Sequence, residues 1–227
     1  MCGRAGPGTP VPMTSTTPAP VPASIELGGL EIAYDERVLE PRPWTAAQSE
    51  WAAALLEEAP AGPVLELCTG AGHIGLLAVL HNDRRLVAVD ANPVACDYAR
   101  RNAAAAGVAD RVEVRAARME EALAPDERFP AIIADPPWVP SDRTTEFPAD
   151  PLLAIDGGSD GLAVARLCIE VAAAHLAPGG VMLLQLGTVE QAEELRGVIE
   201  RAGSSLRLTE VRQPAPNGVV ACVRRTG

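Results

Sequence analysis

The chain has no run of about 18 apolar residues, the length that a membrane-spanning helix needs. It also has no apolar core behind a basic start, so we predict no membrane association and no secretory signal, and we expect a cytoplasmic protein. The five cysteines are scattered without the Cys-x-x-Cys spacing of zinc or redox sites. They are predicted to be reduced thiols, and no bound metal is expected.

Basic charge is also scarce. Nineteen Lys and Arg residues stand against 30 Asp and Glu residues, which gives a formal net charge of −11. Such a field opposes the approach of a polyphosphate, so nucleic acid is a less favoured partner than a protein or a small molecule. Arg84, Arg85, Arg100 and Arg101 form a local basic group, which we interpret as solvation of helix faces.

Two regions differ in composition. Residues 1–24 contain six prolines among Gly, Ser, Thr and Ala. Their apolar surface is too small to offset the loss of chain entropy, so the composition predicts a disordered tail over 1–24. The remaining residues, about 200, fit one α/β domain by size.

Helical and strand patterns alternate along this domain. Thr45 with Gln48 predicts a capping box for a helix that reaches about Ala59. The predicted buried face of that helix comprises Ala47, Trp51, Ala54 and Leu55. Two apolar segments, 206–211 and 219–223, predict an antiparallel edge hairpin across Asn217-Gly218. We predict a single doubly wound, mostly parallel seven-stranded sheet with an antiparallel edge strand.

A glycine-rich segment follows one apolar strand. Val64–Leu67 is predicted to be a buried strand, and Cys68–Gly75 leads from it into the apolar stretch 76–80. A strand, a glycine turn and a helix in this order let a cofactor approach the backbone. The spacing Gly70-x-Gly72-x-x-Gly75 also matches the dinucleotide fingerprint, so binding of a nicotinamide cofactor remains open.

An acidic residue ends the next predicted strand. Residues 86–89 are apolar, and Asp90 follows them directly. A carboxylate at this place can accept hydrogen bonds from both ribose hydroxyls of an adenosine-containing cofactor. Alternatively, Asp90 with Asn92 and Pro93 only begins a helix. The turn and the acid together favour nucleoside binding.

Asp135-Pro136-Pro137-Trp138 follows the apolar run 131–134, which is predicted to be a buried parallel strand. Two consecutive prolines cannot continue a ladder, so the strand must end in a stiff, extended turn. The turn groups a carboxylate, donor-free carbonyls and an aromatic face, which together suit a planar group with N–H bonds. The same pattern also fits a proline-capped strand end beside a core tryptophan.

These segments resemble motifs of a known family. Glu66-Leu-Cys-Thr-Gly-Ala-Gly72 resembles the first motif of class I S-adenosylmethionine-dependent methyltransferases. Asp135–Trp138 resembles the (Asn/Asp)-Pro-Pro-aromatic motif of those that methylate amide or amino nitrogens. The chain is most similar to the HemK-type protein-glutamine methyltransferases, which modify peptide release factors. Further similar segments are Gly29–Pro43, Asp156–Leu162 with Arg166, and Pro178–Gly180, which is expected to be a turn before the next strand and helix start.

The resemblance implies a fold, a cofactor and a site. It implies a Rossmann-like methyltransferase domain over 44–227, preceded by a hairpin over 25–43, with S-adenosyl-L-methionine as cofactor. The cofactor-binding residues it implies are Glu66, Cys68, Thr69, Gly70, Gly72, His73, Asp90, Ala91 and Asp135. The catalytic residues it implies are Asp135, Pro136, Pro137 and Trp138.

Some positions depart from the family pattern. Cys68 stands where the family usually has a glycine, and Asp135 stands where it usually has Asn. Arg118 lies near the place of an acid that often contacts the adenine amino group, and Gln185 replaces a common Glu. Only about forty residues precede Pro41, so we expect no N-terminal helical domain of the kind that bacterial members use to bind the release factor.

The expected function is transfer of a methyl group to an amide or amino nitrogen, with a protein glutamine side chain as one acceptor. An amino group of a nucleic acid or a small molecule is a second kind of acceptor that fits the motifs. The sequence is also compatible with an inactive cofactor-binding scaffold and with a nicotinamide-dependent oxidoreductase. Residues 141–151 have the composition of a lid over the acceptor site. The sequence leaves the acceptor and the oligomeric state open.

Overall fold

The computed structural model of the protein describes residues 20–201, 205–214 and 218–226. These residues form a seven-stranded sheet and a separate two-stranded hairpin. The strands are β1 (Ala23–Leu27), β2 (Leu30–Tyr34), β3 (Val64–Leu67), β4 (Leu86–Asp90), β5 (Val112–Ala116), β6 (Phe129–Ala134), β7 (Leu176–Leu186), β8 (Leu206–Arg212) and β9 (Val219–Arg225). The helices are α1 (Ala46–Glu58), α2 (His73–Val79), α3 (Pro93–Ala105), α4 (Leu152–Ile155), α5 (Ala163–His175) and α6 (Val189–Arg201).

The strand order in the large sheet is β5-β4-β3-β6-β7-β9-β8. Strands β3 to β7 are parallel, and β9 runs antiparallel between β7 and β8. The prediction of a mostly parallel seven-stranded sheet with an antiparallel edge is confirmed. The chain adds strands outward from β3 to β5 and then places β6 on the other side of β3. The carboxyl ends of β3 and β6 therefore border the crevice where ligands bind in such sheets.

Both faces of the sheet are buried. Alternate residues of a strand point to opposite faces, so Leu65 and Leu67 belong to the apolar cluster on one face, and Val64 to the cluster on the other. Helices α5 and α6 contribute to the first cluster, and α1, α2 and α3 contribute to the second. Burial on both faces explains the nearly continuous apolar sequence of β3, β4 and β6.

The hairpin β1–β2 is attached to α3 by hydrogen bonds. The Asn102 amide donates to the carbonyls of Ala33 at 3.0 Å and Ala71 at 2.8 Å, and its oxygen accepts from the Ala33 N–H at 2.9 Å. Strand β1 begins at Ala23, two residues before the predicted start of the hairpin. Residues 1–19 of the predicted tail lie outside the described part of the chain.

The predicted capping box of α1 is wrong. The Thr45 side chain makes no cap hydrogen bond to the helix, and its hydroxyl donates instead to the Arg42 carbonyl at 2.6 Å. Gln48 is fully buried, and its amide donates to the carbonyls of Ala134 and Leu183 at 3.0 and 3.2 Å. The sequence pattern suggested a helix cap, because it does not reveal the carbonyls of β6 and β7 that bind Gln48.

The buried face of α1 also differs from the predicted one. Trp51 is buried as predicted, with the Arg212 guanidinium 3.8 Å from the centre of its ring. Ala54 is exposed, and Ala47 and Leu55 are only partly buried. The helix buries Gln48, Ser49, Ala52 and Leu56 instead. An alanine-rich helix has apolar residues all around, so its pattern does not select one face.

The segment Pro178–Gly180 is part of β7 rather than a turn before it. Pairing with β6 shifts there, since Leu176 lies opposite Phe129 and Val181 lies opposite Ala131. The predicted edge hairpin is present as β8 and β9. Of its predicted turn, Gly218 has a φ of +103°, and Asn217 lies outside the described residues. Among the described helices, none combines the length and the apolar character that crossing a membrane requires.

Arginines at the amino edge of the sheet bind helix ends. The Arg84 guanidinium donates to four carbonyls at the end of α1 and just after it, rather than solvating a helix face. Arg111 donates to the carbonyls of Val79, Asn82 and Arg84 at 2.9, 2.6 and 3.0 Å. These carbonyls lie at or beyond the end of α2, where no intrahelical donor is available.

We expect Arg111→Ala to lower the free energy of unfolding by about 2–3 kcal/mol, because charged hydrogen bonds are lost and carbonyls are left unpaired. Urea denaturation measures the change. Arg85→Ala is the matched control, since the exposed Arg85 side chain has no hydrogen bond in the described structure. Equal unfolding midpoints for the two variants would contradict this role of Arg111.

Candidate functional site

A cavity of about 230 Å³ lies at the carboxyl ends of β3, β4, β5 and β6. Segments that follow different strands form its wall, since Cys68 follows β3, Asp90 ends β4, Ala117 follows β5 and Asp135 follows β6. Parallel strands present their carboxyl ends at one edge, so residues far apart in sequence meet there. The site is therefore a product of the sheet topology.

The Glu66 side chain stabilises the glycine turn through hydrogen bonds with Thr69 and Gly75. Its carboxylate is buried, accepts from the Thr69 hydroxyl, and accepts from the Gly75 N–H at 2.7 Å. Burial raises the pKa of Glu66 to about 8, and these two hydrogen bonds only partly oppose the shift. A Cβ at Gly75 would overlap this carboxylate, which explains a glycine in the first turn of α2. Glu66 does not line the cavity.

The turn itself contains left-handed residues. Cys68 has a φ of +57°, and Gly70 and Gly72 have φ values of +54° and +85°. A Cβ at Gly70 would meet no atom within 4 Å, whereas one at Gly72 would lie 3.1 Å from the Ala99 Cβ. Gly70 therefore exposes its backbone to the cavity, and Gly72 lets the turn pack against α3.

Asp90 links the end of β4 to this turn. Its Oδ2 accepts from the Gly70 N–H and its Oδ1 accepts from the Asn92 N–H, both at 2.8 Å. Burial raises the pKa of Asp90, and the two backbone hydrogen bonds oppose the shift. Each oxygen of an ionised carboxylate has a second acceptor direction. Asp90 can therefore accept hydrogen bonds from two hydroxyl groups of a ligand in the cavity.

Asp135 lines the cavity immediately after β6. The Gln48 amide holds the carbonyl of the preceding Ala134, which fixes where the Asp135-Pro136-Pro137 turn begins. The Asp135 carboxylate has no hydrogen-bond or ion-pair partner among the described residues. Burial raises its pKa to about 7, so this acid titrates near neutral pH.

Trp138 is held by contacts with residues that lie outside the cavity lining. Its carbonyl accepts from the Gln191 side-chain amide at 3.0 Å, and Gln191 Oε1 accepts from the Gly187 N–H at 2.8 Å. The ring packs on Gly187, where a Cβ would overlap it, and a Cβ at Gly161 would overlap the Trp138 carbonyl. Trp138 does not line the cavity, so its stacking on an acceptor stays a prediction.

His73 lines the cavity as a neutral ring. Thr45 donates its hydroxyl proton to the Arg42 carbonyl, so the His73 Nε2–H donates to Thr45 Oγ1 across 2.9 Å. Nδ1 is then an acceptor, and it is buried without a partner among the described residues. Burial lowers the pKa of His73 to about 4, so His73 provides no positive charge for a cofactor carboxylate at neutral pH.

The cavity brings together most of the predicted site residues. Those that line it are Cys68, Thr69, Gly70, His73, Asp90, Ala91, Asp135 and Pro137. Four predicted residues lie outside its lining, namely Glu66, Gly72, Pro136 and Trp138. Within the described residues, no cluster of His, Cys, Asp and Glu could hold a metal ion.

Several cavity residues were not predicted from the sequence. Arg42 lines one side, and its guanidinium donates to both carboxylate oxygens of Asp150, at 2.7 and 2.8 Å. This ion pair joins the segment before α1 to the residues 141–151, which were predicted to form a lid. Glu120 also lines the cavity and pairs with Arg118 at 2.8 Å. Such residues lie on loops, where no periodic pattern identifies them.

Comparison with known families extends these observations. Residues 49–202 match the family described as Methyltransferase small domain. The match begins in α1 and contains the glycine turn, Asp90 and the Asp135–Trp138 turn.

Curated relatives are similar over most of this chain. The release factor glutamine methyltransferase of Cereibacter sphaeroides is 37% identical over 171 residues, which cover 73% of this chain and 59% of the relative. The ribosomal protein uL3 glutamine methyltransferase of Bradyrhizobium diazoefficiens is 34% identical over 176 residues, which cover 72% and 55%. The chain thus spans little more than half the length of these relatives.

Solved structures share the fold. The hMettl16 catalytic domain in complex with a MAT2A 3′UTR hairpin has a TM-score of 0.69 at 16% identity, over 88% of this chain and 76% of that one. P. horikoshii TYW2 in complex with MeSAdo has a TM-score of 0.61 at 15% identity, over 89% and 70%. At these identities the likeness concerns the fold alone.

Proposed function

The chain belongs to the methyltransferase small domain family, and from that premise we propose that it is an S-adenosylmethionine-dependent methyltransferase acting on an amide or amino nitrogen. The observation that carries the proposal is the cavity itself. It places the glycine turn, Asp90 and the Asp135-Pro136-Pro137 turn around one space. These groups suit a nucleoside on one side and a nitrogen acceptor on the other.

The residues present fit S-adenosylmethionine. Asp90 has unused acceptor directions for two ribose hydroxyls, and Gly70 leaves the backbone open beside it. Met119 and Leu167 add apolar lining for a purine ring. When bound, the cofactor supplies a methyl group on a positively charged sulfonium. The protein residues then position the acceptor nitrogen in line with that methyl group.

Asp135, whose side chain lines the cavity, is proposed to bind the acceptor. Its ionised carboxylate is an acceptor only, so it accepts hydrogen bonds from the N–H bonds of the acceptor nitrogen. Positive charge develops on that nitrogen as the N–C bond forms, and a nearby carboxylate stabilises it. One N–H proton leaves the acceptor after transfer, and an ionised Asp135 can accept it.

A glutamine side chain of a protein is the proposed acceptor. Two kinds of similar protein are named as glutamine methyltransferases, for release factors and for ribosomal protein uL3. Exposed apolar side chains support a protein acceptor, since Leu153, which lines the cavity, is 67% exposed, and Phe147 and Leu152, which are near it in the chain, are 38% and 60% exposed. Exposed apolar side chains beside a site are typical of protein contacts. The net charge of −11 disfavours nucleic acid.

We expect Asp90→Ala to weaken binding of S-adenosylhomocysteine by roughly 10- to 100-fold, because hydrogen bonds to a charged group contribute about 1.5–3 kcal/mol. Titration calorimetry measures the affinity. Asp97→Ala is the matched control, because Asp97 is an exposed acid on α3 that pairs only with Arg100 in the described structure. Unchanged affinity in Asp90→Ala would show that the ribose lies elsewhere.

Transfer of a radiolabelled methyl group tests the function as a whole. The candidate acceptors are a release factor, ribosomal protein uL3, RNA and a mixture of small amines. We expect label on a protein and its location on a glutamine by peptide mass analysis. Thermal-shift titration with S-adenosylhomocysteine and with NAD separates this proposal from a nicotinamide-dependent oxidoreductase. Stabilisation by NAD alone would overturn it.

A further inference from the structure

Three acids at the carboxyl ends of β3, β4 and β6 differ in how they are paired: Glu66 is buried, whereas Asp90 and Asp135 are partly exposed and line the cavity. Glu66 is hydrogen-bonded to Thr69 and Gly75, and Asp90 to Gly70 and Asn92. Asp135 alone among these three has no such partner in the described structure. Asp135 lines the cavity and is only partly exposed to water, so its ionised carboxylate, which has no partner there, favours a ligand that brings positive charge.

No described residue that lines the cavity supplies a free positive charge for Asp135. Two cations line the cavity, but Arg42 binds Asp150 at 2.7 Å and Arg118 binds Glu120 at 2.8 Å. His73 is neutral, since burial lowers its pKa to about 4. The titratable and charged groups of the elements around Asp135 are Glu66 within β3 and Cys68 after it, His73 on α2, Asp90 on β4, Arg118 and Glu120 after β5, and Glu40 and Arg42 before α1.

We propose that Asp135 distinguishes the methyl donor from the spent cofactor by charge, because its carboxylate pairs with the sulfonium and has no such partner in S-adenosylhomocysteine. This inference rests on the proposed function, and it adds a second role to Asp135. The amino, carboxylate, ribose and adenine groups are the same in both molecules. The two molecules differ at sulfur, which carries a methyl group and a positive charge in S-adenosylmethionine and neither in S-adenosylhomocysteine. A carboxylate near the sulfur therefore favours the charged molecule over the neutral one.

This selectivity should depend on pH, because the Asp135 carboxylate can bind a proton. Burial raises the pKa of Asp135 to about 7, so below neutral pH the acid is mostly protonated and above it mostly ionised. The ionised form favours the sulfonium, so affinity for S-adenosylmethionine rises with pH through this range. Asp135 then loses a proton when S-adenosylmethionine binds and keeps it when S-adenosylhomocysteine binds. After methyl transfer the pairing is gone, which favours release of the product.

Titration calorimetry of both ligands between pH 5.5 and 8.5 tests the proposal. We expect the ratio of the two affinities to change by about tenfold in favour of S-adenosylmethionine as pH rises, which corresponds to a pKa change of one unit on binding. Groups that the two ligands share cancel in this ratio. Asp135→Asn should make the ratio independent of pH, and Asp126→Asn, at an exposed acid outside the cavity lining, should leave it as in the wild type.

Proton release in the wild-type protein provides a second readout, in case Asp135→Asn does not fold. Calorimetry at pH 7 in two buffers of different ionisation enthalpy should show protons released with S-adenosylmethionine and none with S-adenosylhomocysteine. If both ligands bind with a ratio that does not depend on pH, this inference is wrong and the proposed function stands. If neither ligand binds, the proposed function itself is wrong.

Discussion

Asp135→Ala should lower kcat by about 100- to 1,000-fold while S-adenosylhomocysteine still binds with nearly wild-type affinity. The physical reason is that Asp135 contacts the acceptor nitrogen, and losing one well-placed electrostatic partner costs about 3–4 kcal/mol of barrier. Binding of the neutral product is expected to survive, because the ribose and the turn depend on Asp90 and Gly70 rather than on Asp135. Single-turnover methyl transfer on the identified acceptor measures the first effect, and calorimetry the second.

Two further variants sharpen this test. Asp126→Ala removes an exposed acid that lies outside both the cavity lining and residues 141–151, so its kcat should equal that of the wild type. Asp135→Asn restores the residue usual in the HemK-type family. If the methyl acceptor is a glutamine amide, the neutral Asn oxygen can accept a hydrogen bond from its N–H, so activity should survive. A methyl acceptor that needs the negative charge should react slowly. Equal activity of the wild type and Asp135→Ala would exclude the proposed role.

Glu66→Gln should make the protein more stable than the wild type at pH 8, by a few kcal/mol, with a much smaller difference at pH 5. Burial raises the pKa of Glu66 to about 8, whereas an unfolded Glu titrates near its ordinary value of about 4.3. Between these values the folded chain holds a proton that the unfolded chain has lost, so stability falls as pH rises. Gln has no proton to lose, so this loss is absent in the variant.

The hydrogen bonds explain why Gln fits. A neutral Glu66 keeps Oε1 as acceptor for the Gly75 N–H. Its Oε2–H can donate to the Thr69 oxygen, the reverse of the bond that the ionised carboxylate accepts from the Thr69 hydroxyl. The Gln amide reproduces both contacts with its oxygen and its N–H. Glu66→Ala is the control, since it loses both contacts at every pH. Urea denaturation at pH 5 and pH 8 measures the free energy of unfolding of each protein. If the difference between Glu66→Gln and the wild type is the same at both pH values, Glu66 is not neutral in the folded protein.

Much of this fold is encoded locally in the sequence. The apolar runs of β3, β4 and β6 predict buried parallel strands, because only strands covered on both faces lack polar alternation. Asn92 and Pro93 predict the start of α3, and the structure has the Asn92 side chain accepting from the Val94 N–H. The resemblance to class I methyltransferases of the HemK type is confirmed by the family match and the curated relatives.

Features that depend on distant segments were not predictable in the same way. Gln48 is hydrogen-bonded in the interior because β6 and β7 bring the carbonyls of Ala134 and Leu183 to α1. Arg42 and Asp150 are 108 positions apart in the chain, and their contact exists only after the sheet assembles. Local spacing contains no information about such pairs, since the tertiary fold decides which loops meet.

The sequence by itself therefore determined the elements, their order and the motifs that follow β3, β4 and β6, because periodicity, glycine and proline act within a few residues. The tertiary structure decided which of the predicted site residues line the cavity, namely Asp90 and Asp135 but not Glu66 or Trp138. It also decided the charge states of these acids, because burial and hydrogen-bond partners shift a pKa, and both arise only when separate strands are packed side by side.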